Sequence, residues 1–74
     1  MKTYLTIMFS SEGARPSDVA NILYNLGFTA VQGNYDFEYD WGRSANIRDI
    51  IWFGDKIHSA LKGYNVLFKL ETVL

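Results

Sequence analysis

Apolar and polar side chains alternate along the two ends of the chain, a pattern typical of β-strands with one buried face. Over residues 2–10, the positions suited to a buried face are Thr3, Leu5, Ile7 and Phe9. Over residues 64–72, they are Tyr64, Val66, Phe68 and Leu70. We therefore predict the first and last strands of the protein at these two segments.

Two longer segments have apolar residues at the three- and four-residue spacing of an amphipathic helix. The first, residues 16–26, begins with Pro16, which suits a first helical turn, and is followed by Gly27, which suits a left-handed cap. Its apolar stripe is Val19, Ile22, Leu23 and Leu26. The second, residues 47–62, follows Asn46, a good N-cap residue with Asp49 three positions later. Its predicted stripe is Ile47, Ile50, Gly54, Ile57 and Leu61, flanked by Ile51 and Phe53.

Between the helices, residues 28–32 and 35–41 have the composition of strands, and Gly33-Asn34 separates them as a two-residue hairpin turn would. In the second of these strands one face is aromatic, with Tyr35, Phe37, Tyr39 and Trp41. The opposite face is acidic, with Asp36, Glu38 and Asp40. We expect all four aromatic residues to meet the helices.

This βαββαβ order predicts an α+β, ferredoxin-like fold over residues 1–74, one domain with a four-stranded antiparallel sheet and both helices on one face. The other face of the sheet is then open. Strand alternation places a mixture of apolar and charged residues there: Tyr4, Thr6, Met8, Val31, Asp36, Glu38, Asp40, Leu67, Lys69 and Val73.

Composition narrows the classes of partner. At 74 residues the chain has a small core, and it contains no cysteine for a disulfide or thiolate zinc site, so we expect stabilisation by homodimerisation. The absence of cysteine also suits the cytoplasm. A formal net charge of −1 does not favour nucleic acid as a partner, although a local basic patch is compatible with it. We find no membrane-spanning segment and no cofactor motif, and expect neither.

Three features could carry chemistry, and each also has an ordinary structural explanation. Asp36, Glu38 and Asp40 are weak metal candidates, because carboxylates about 6.6 Å apart along one strand do not converge on a single ion. Charge balance by cross-strand lysines explains them better. The lone histidine, His58, fits the rim of the core better than acid–base catalysis.

The loop before the first helix contains the weak catalytic or anion-binding candidates Ser10, Glu12 and Arg15. It lacks a glycine-rich phosphate motif with its lysine, so an ordinary strand-to-helix connection explains it better.

Apolar residues on the open face are the better candidates for partner contact: Tyr4, Met8, Val31 and Leu67. Tyr24 and Trp52 fall on the polar sides of their helices, and Trp52 is the preferred partner-binding residue there. The acidic residues of the third strand disfavour RNA recognition by the open face, since RNA-recognition motifs of this topology place stacking aromatics and basic residues there.

The segments Leu26-Gly27-Phe28 and Val31-Gln32-Gly33, followed by Tyr35, resemble the virulence-associated protein D (VapD) group and the small CRISPR-associated nucleases of ferredoxin fold. The order of elements is similar along nearly the whole chain. The resemblance implies a dimer whose sheets pack together, and an endoribonuclease that uses an aspartate at the end of the first strand. Ser10 stands at that position here, and a serine cannot replace a carboxylate as a metal ligand. Glu12 is the nearest substitute.

Two classes of function follow. The first is a homodimeric binding or assembly module that contacts a protein or a small ligand, as many domains of this fold do. The second is a metal-dependent endoribonuclease of the VapD type. The departure at Ser10 and the acidic charge balance favour the first.

Overall fold

The computed structural model of the protein describes residues 1–73. Its elements are β1 (Lys2–Met8), α1 (Pro16–Asn25), β2 (Thr29–Ala30), β3 (Phe37–Asp40), α2 (Ile47–Leu61) and β4 (Leu67–Val73). The strands form one antiparallel sheet in the order β2-β3-β1-β4. The predicted α+β, ferredoxin-like arrangement is confirmed.

The core lies between the sheet and the two helices. In the sheet, Leu5 stands between Phe37 on β3 and Leu70 on β4, so the three side chains share one face. Both helices contribute to the same buried cluster, which comprises Leu5, Val19, Leu23, Phe28, Phe37, Phe53, Ile57 and Leu61. Aromatic rings fill much of it, with Phe28 stacked on Phe53 at a centroid distance of 5.5 Å. This packing leaves the opposite face of the sheet open.

The connection between β2 and β3 differs from the prediction. The two strands are shorter than expected, but Thr29 pairs with Glu38 and Ala30 with Phe37, the register that a two-residue turn at Gly33-Asn34 requires. Tyr35 was wrongly predicted to face the helices. Its ring stacks on Tyr4 of the open face, with 4.5 Å between the ring centroids. Tyr35 precedes β3 in the chain and lies outside the regular ladder, so strand alternation does not direct its side chain.

The second helix is rotated relative to the predicted stripe. Its buried residues are Phe53, Ile57 and Leu61, whereas Ile47 and Ile51 are 67% and 58% exposed. Phe53 therefore belongs to the buried side itself rather than to its flank. The reason is aromatic packing: Phe53 contacts the rings of Phe28, Tyr39 and Trp41 together, and this cluster determines the orientation of the helix.

The ends of the elements follow the local sequence signals. Asn46 and Asp49 form a complete capping box at the start of α2, and Gly27 and Gly63 have the positive φ angles expected after each helix. Tyr64 lies before β4 instead of within it and is exposed. Within residues 1–73, neither helix combines the length and the apolar character needed to cross a membrane.

Candidate binding surface

The strand register defines the open face of the sheet row by row. Tyr4 of β1 stands between Glu38 of β3 and Glu71 of β4, and Thr6 stands beside Lys69. At one end Lys2 lies between Asp40 and Val73, and at the other Met8 faces Leu67. The open face is therefore charged at the Lys2 end and in the middle, and apolar at the Met8 end.

Lys2 and the acidic residues of the β3 side are engaged individually on the open face. Lys2 Nζ lies 3.4 Å from Glu38 Oε1, and this carboxylate raises the pKa of the lysine. Asp40 accepts a hydrogen bond from the Gly42 N–H at 2.9 Å. The carboxylate of Asp36 turns into the plane of the sheet, where it accepts the Ile7 N–H at 2.8 Å.

The acidic trio of β3 and its preceding loop therefore does not converge on one point. Among residues 1–73, no three histidine or carboxylate side chains are placed to hold a metal ion together. What the three groups do instead is structural: Asp36 extends the β1–β3 ladder, Glu38 balances a cross-strand lysine, and Asp40 caps a turn.

Tyr35 covers the middle of the open face. Its ring lies on Tyr4, and its hydroxyl donates a hydrogen bond to the Glu71 carboxylate on β4. This bond and partial desolvation raise the pKa of the Tyr35 hydroxyl. Tyr4, predicted to be free for a partner, is accordingly half-buried beneath a residue of the same chain.

Met8 and Leu67 form the accessible apolar part of the open face. They are direct partners in the β1–β4 register and are 67% and 70% exposed. A groove of about 290 Å³ lies here, lined by Thr6, Ile7, Met8, Leu67, Phe68 and Lys69. An apolar floor with one lysine beside it can take an apolar side chain or a small apolar molecule with a negative group.

Val31 lies past the end of β2 and away from Met8 and Leu67. It is half-buried and lines a second groove with Ile7, Phe9, Pro16, Ser17, Ala20, Asp36 and Phe37. The structure therefore divides the four predicted partner-binding residues of the open face. Met8 and Leu67 lie together, whereas Tyr4 is covered and Val31 borders a separate groove.

The polar residues of the loop before α1 make local contacts. Ser10 Oγ accepts the Glu12 N–H at 3.2 Å, which forms a local turn. Arg15 turns to Asp18, with Nε 3.1 Å from Oδ2, and this pairing raises the pKa of the guanidinium. Gly13 packs so tightly against the carbonyls of Tyr64 and Asn65 that an added Cβ would lie 2.8 Å from each. These contacts describe a connection fixed by backbone packing.

On the helical side, Trp52 is exposed and Lys56 Nζ lies 4.9 Å from the centre of its ring. His58 is also exposed on α2, on the side of Ile47 and Ile51. Tyr24 is exposed on α1 and touches the edge of Phe37. None of these residues lines the Met8–Leu67 groove.

Sequence reasoning did not identify the roles of Thr3 and Tyr35. Thr3 is 2% exposed, and its hydroxyl accepts the Trp41 indole N–H at 2.8 Å while sharing a hydrogen bond with Thr72. The alternation of β1 does place Thr3 on the buried face, which is a usable signal for a buried polar partner. Nothing in the alternation of β3 predicts that Tyr35 crosses to the open face.

Comparison of the chain with protein-family models, with curated proteins and with solved structures finds no match.

Proposed function

We propose that this protein is a small homodimeric binding module without catalytic activity, whose open sheet face receives a protein side chain or a small apolar ligand. The observation that carries the proposal is the pair Met8 and Leu67, two large apolar residues that face each other on a sheet and remain more than two-thirds exposed. Burying two such side chains in a complex contributes about 1.5–3 kcal/mol each.

The surroundings of the pair support binding rather than chemistry. Thr6 and Lys69 border the groove, and the nearest carboxylates of the open face are engaged with Lys2 and Tyr35. A lysine beside an apolar floor favours ligands that combine an apolar body with a negative group.

Anilinonaphthalene sulfonate, an apolar anionic fluorophore, is a direct probe of the groove. We expect enhanced fluorescence with the native protein and loss of most of it in Leu67→Lys, while Tyr24→Lys on α1 retains it. An equal signal in native protein and Leu67→Lys would contradict the proposed surface. Sedimentation equilibrium tests the homodimer separately, and a monomer at high micromolar concentration would refute that part.

A further inference from the structure

The outer edge of β4 is unpaired within residues 1–73, and it is the long edge of the sheet. The carbonyls of Met1 and Leu5 accept hydrogen bonds from the β3 side of β1, and the Ile7 N–H donates a hydrogen bond to the same side. Backbone groups alternate in direction along an antiparallel strand, so the even-numbered residues of β1 bond β4. Their partners on β4 are odd-numbered, which leaves the N–H and C=O groups of Phe68, Leu70 and Thr72 directed outward.

Natural proteins protect exposed edges with prolines, bulges, charged side chains or very short strands. The other edge of this sheet follows that rule, because β2 has two residues. β4 has seven residues and contains no proline. Its edge is therefore suited to pairing with another strand.

The sequence of β4 is complementary to itself. When a second copy runs antiparallel about a twofold axis at Leu70, the outward groups of Phe68, Leu70 and Thr72 meet outward groups of the partner, as an antiparallel ladder requires. On the open face this register places Lys69 opposite the partner's Glu71, and Leu67 opposite the partner's Val73. Opposite charges and apolar residues are thus matched on both sides of the axis.

The neighbouring symmetric registers are unfavourable. An axis at Lys69 places two lysines directly opposite each other, and an axis at Glu71 does the same with two glutamates. Like charges at directly opposed positions destabilise a strand pair. The charges of β4 therefore select the register centred on Leu70.

The helix above this edge provides a second apolar contact. Gly54 lies over β4, because a Cβ added to it would be 3.8 Å from Leu70 Cδ1. Ile51 and Ile47 are about one and two turns before Gly54 on that side of α2, and both are exposed. Their exposure, unexplained by the core of one chain, is suited to a neighbour at the β4 edge.

We propose that two copies of this chain pair through β4 in the register centred on Leu70, forming one continuous eight-stranded sheet with α2 of each copy beside the axis. The inference rests on the proposed homodimer and specifies its interface. It leaves the open faces accessible, and it places the partner's Val73 beside Leu67, so that the Met8–Leu67 groove continues across the interface.

Disulfide trapping tests the register directly, since the native chain has no cysteine. Opposed residues of a non-hydrogen-bonded antiparallel pair have Cα atoms about 4.5 Å apart, within the range of a disulfide. Residues 69 and 71 of one strand have parallel side chains whose Cβ atoms are about 6.6 Å apart, beyond the roughly 3.5–4.5 Å that a disulfide spans, so they cannot bridge within a protomer. We expect oxidised Lys69→Cys/Glu71→Cys to become a covalent dimer, whereas each single variant stays mostly uncross-linked.

Charge exchange gives an independent readout of the same contact. Lys69→Glu and Glu71→Lys should each raise the dimer dissociation constant roughly tenfold or more, and the double exchange should restore most of the affinity relative to Glu71→Lys. Glu71→Lys and the double exchange both lack the hydrogen bond from Tyr35 to Glu71, so the difference between these two variants measures the contact between the paired strands. Lys56→Glu, with the same change in net charge, should leave the constant nearly unchanged.

Hydrogen exchange distinguishes the edge from other interfaces. The amides of Phe68, Leu70 and Thr72 should exchange rapidly in dilute monomer and become protected as concentration favours the dimer. A dimer that keeps these amides unprotected and fails to cross-link would overturn pairing through β4 but leave the homodimer intact. A persistent monomer would overturn both.

Discussion

At the residue scale, the buried hydroxyl of Thr3 connects three parts of the structure. It accepts the indole N–H of Trp41 after β3 and shares a hydrogen bond with Thr72 of β4. A polar group at a core position is stable when every partner is satisfied, and costly when one partner is removed. Thr3 thus links the central strand to the ends of both neighbours.

Thr3→Val should lower the free energy of unfolding by about 1–3 kcal/mol, because it leaves the Trp41 indole without its acceptor while keeping a similar shape. Urea denaturation followed by circular dichroism measures the change. Thr6→Val on the open face of the same strand is the matched control and should change stability by less than about 0.5 kcal/mol. Equal effects of the two substitutions would disprove a special role for the Thr3 hydroxyl.

Asp49 makes the stability of the protein depend on pH. The hydrogen bond from Arg43, and then the Asn46 backbone N–H, hold the pKa of its carboxyl below the ordinary value of 3.8. A carboxyl with a depressed folded-state pKa stabilises the protein above its unfolded-state pKa, and this contribution is lost as pH falls through the folded-state value.

Asp49→Asn should therefore destabilise the protein near neutral pH and have progressively less effect as pH falls from about 5 through 3.8 and below. Thermal unfolding of both proteins across this range provides the measurement. Asp55→Asn, which changes the net charge equally at an exposed position on the same helix, is the control. A difference between wild type and Asp49→Asn that stays constant with pH would refute the assignment.

At the element scale, the sequence predicts every strand and helix but not how each is oriented. The α2 stripe was centred on Ile47, Ile50, Gly54, Ile57 and Leu61, although helical spacing also permits a stripe through Phe53. Spacing cannot distinguish them, because the choice depends on aromatic residues far away in the chain, Phe28, Tyr39 and Trp41. Tertiary packing decides the orientation of the helix.

The same limit applies to the binding surface. Alternation correctly places Met8 and Leu67 on one open face, because both lie within regular strands. It fails for Tyr35 and does not describe Asp36, whose side chain bonds the backbone of β1, because both residues lie outside the ladder. The predictable part of the surface is the part with regular strand geometry.

The orientation of α2 predicts an asymmetry between neighbouring residues. Phe53→Ala should lower the free energy of unfolding by about 3–5 kcal/mol, since it removes a ring packed among three others. Ile51→Ala should cost less than about 1 kcal/mol at dilutions where the chain is monomeric, because most of this side chain is exposed. Chemical denaturation of the two variants measures both values, and a larger loss in Ile51→Ala would contradict the orientation.

At the scale of the whole molecule, the placement of charge separates binding from nuclease activity. Hydrolysis of a phosphodiester by a metal-dependent enzyme needs clustered carboxylates that hold the ion and a water near the phosphate. Here the carboxylates are dispersed. Glu38 pairs with Lys2, Glu71 accepts a hydrogen bond from the Tyr35 hydroxyl, and Asp36 accepts one from the Ile7 N–H of β1. A net charge of −1 also gives RNA little electrostatic attraction.

We therefore expect the purified protein to leave labelled single-stranded RNA intact in the presence of magnesium or manganese.

Glu12 provides the sharpest test of the opposite view. It is the acidic residue of the loop that follows β1, and its backbone N–H is held by Ser10. Cleavage that disappears in Glu12→Gln, with an unchanged unfolding transition, would establish the nuclease. The matched variant Asp55→Asn, at an exposed position on α2, controls for loss of one negative charge. Cleavage lost in both variants would indicate a charge effect, and cleavage retained in both would indicate a contaminating enzyme. In a dimer paired through β4, Glu12 of each copy belongs to a loop packed against the residues before β4. Lys69→Glu, assayed at concentrations where it is monomeric, shows whether any activity needs both copies.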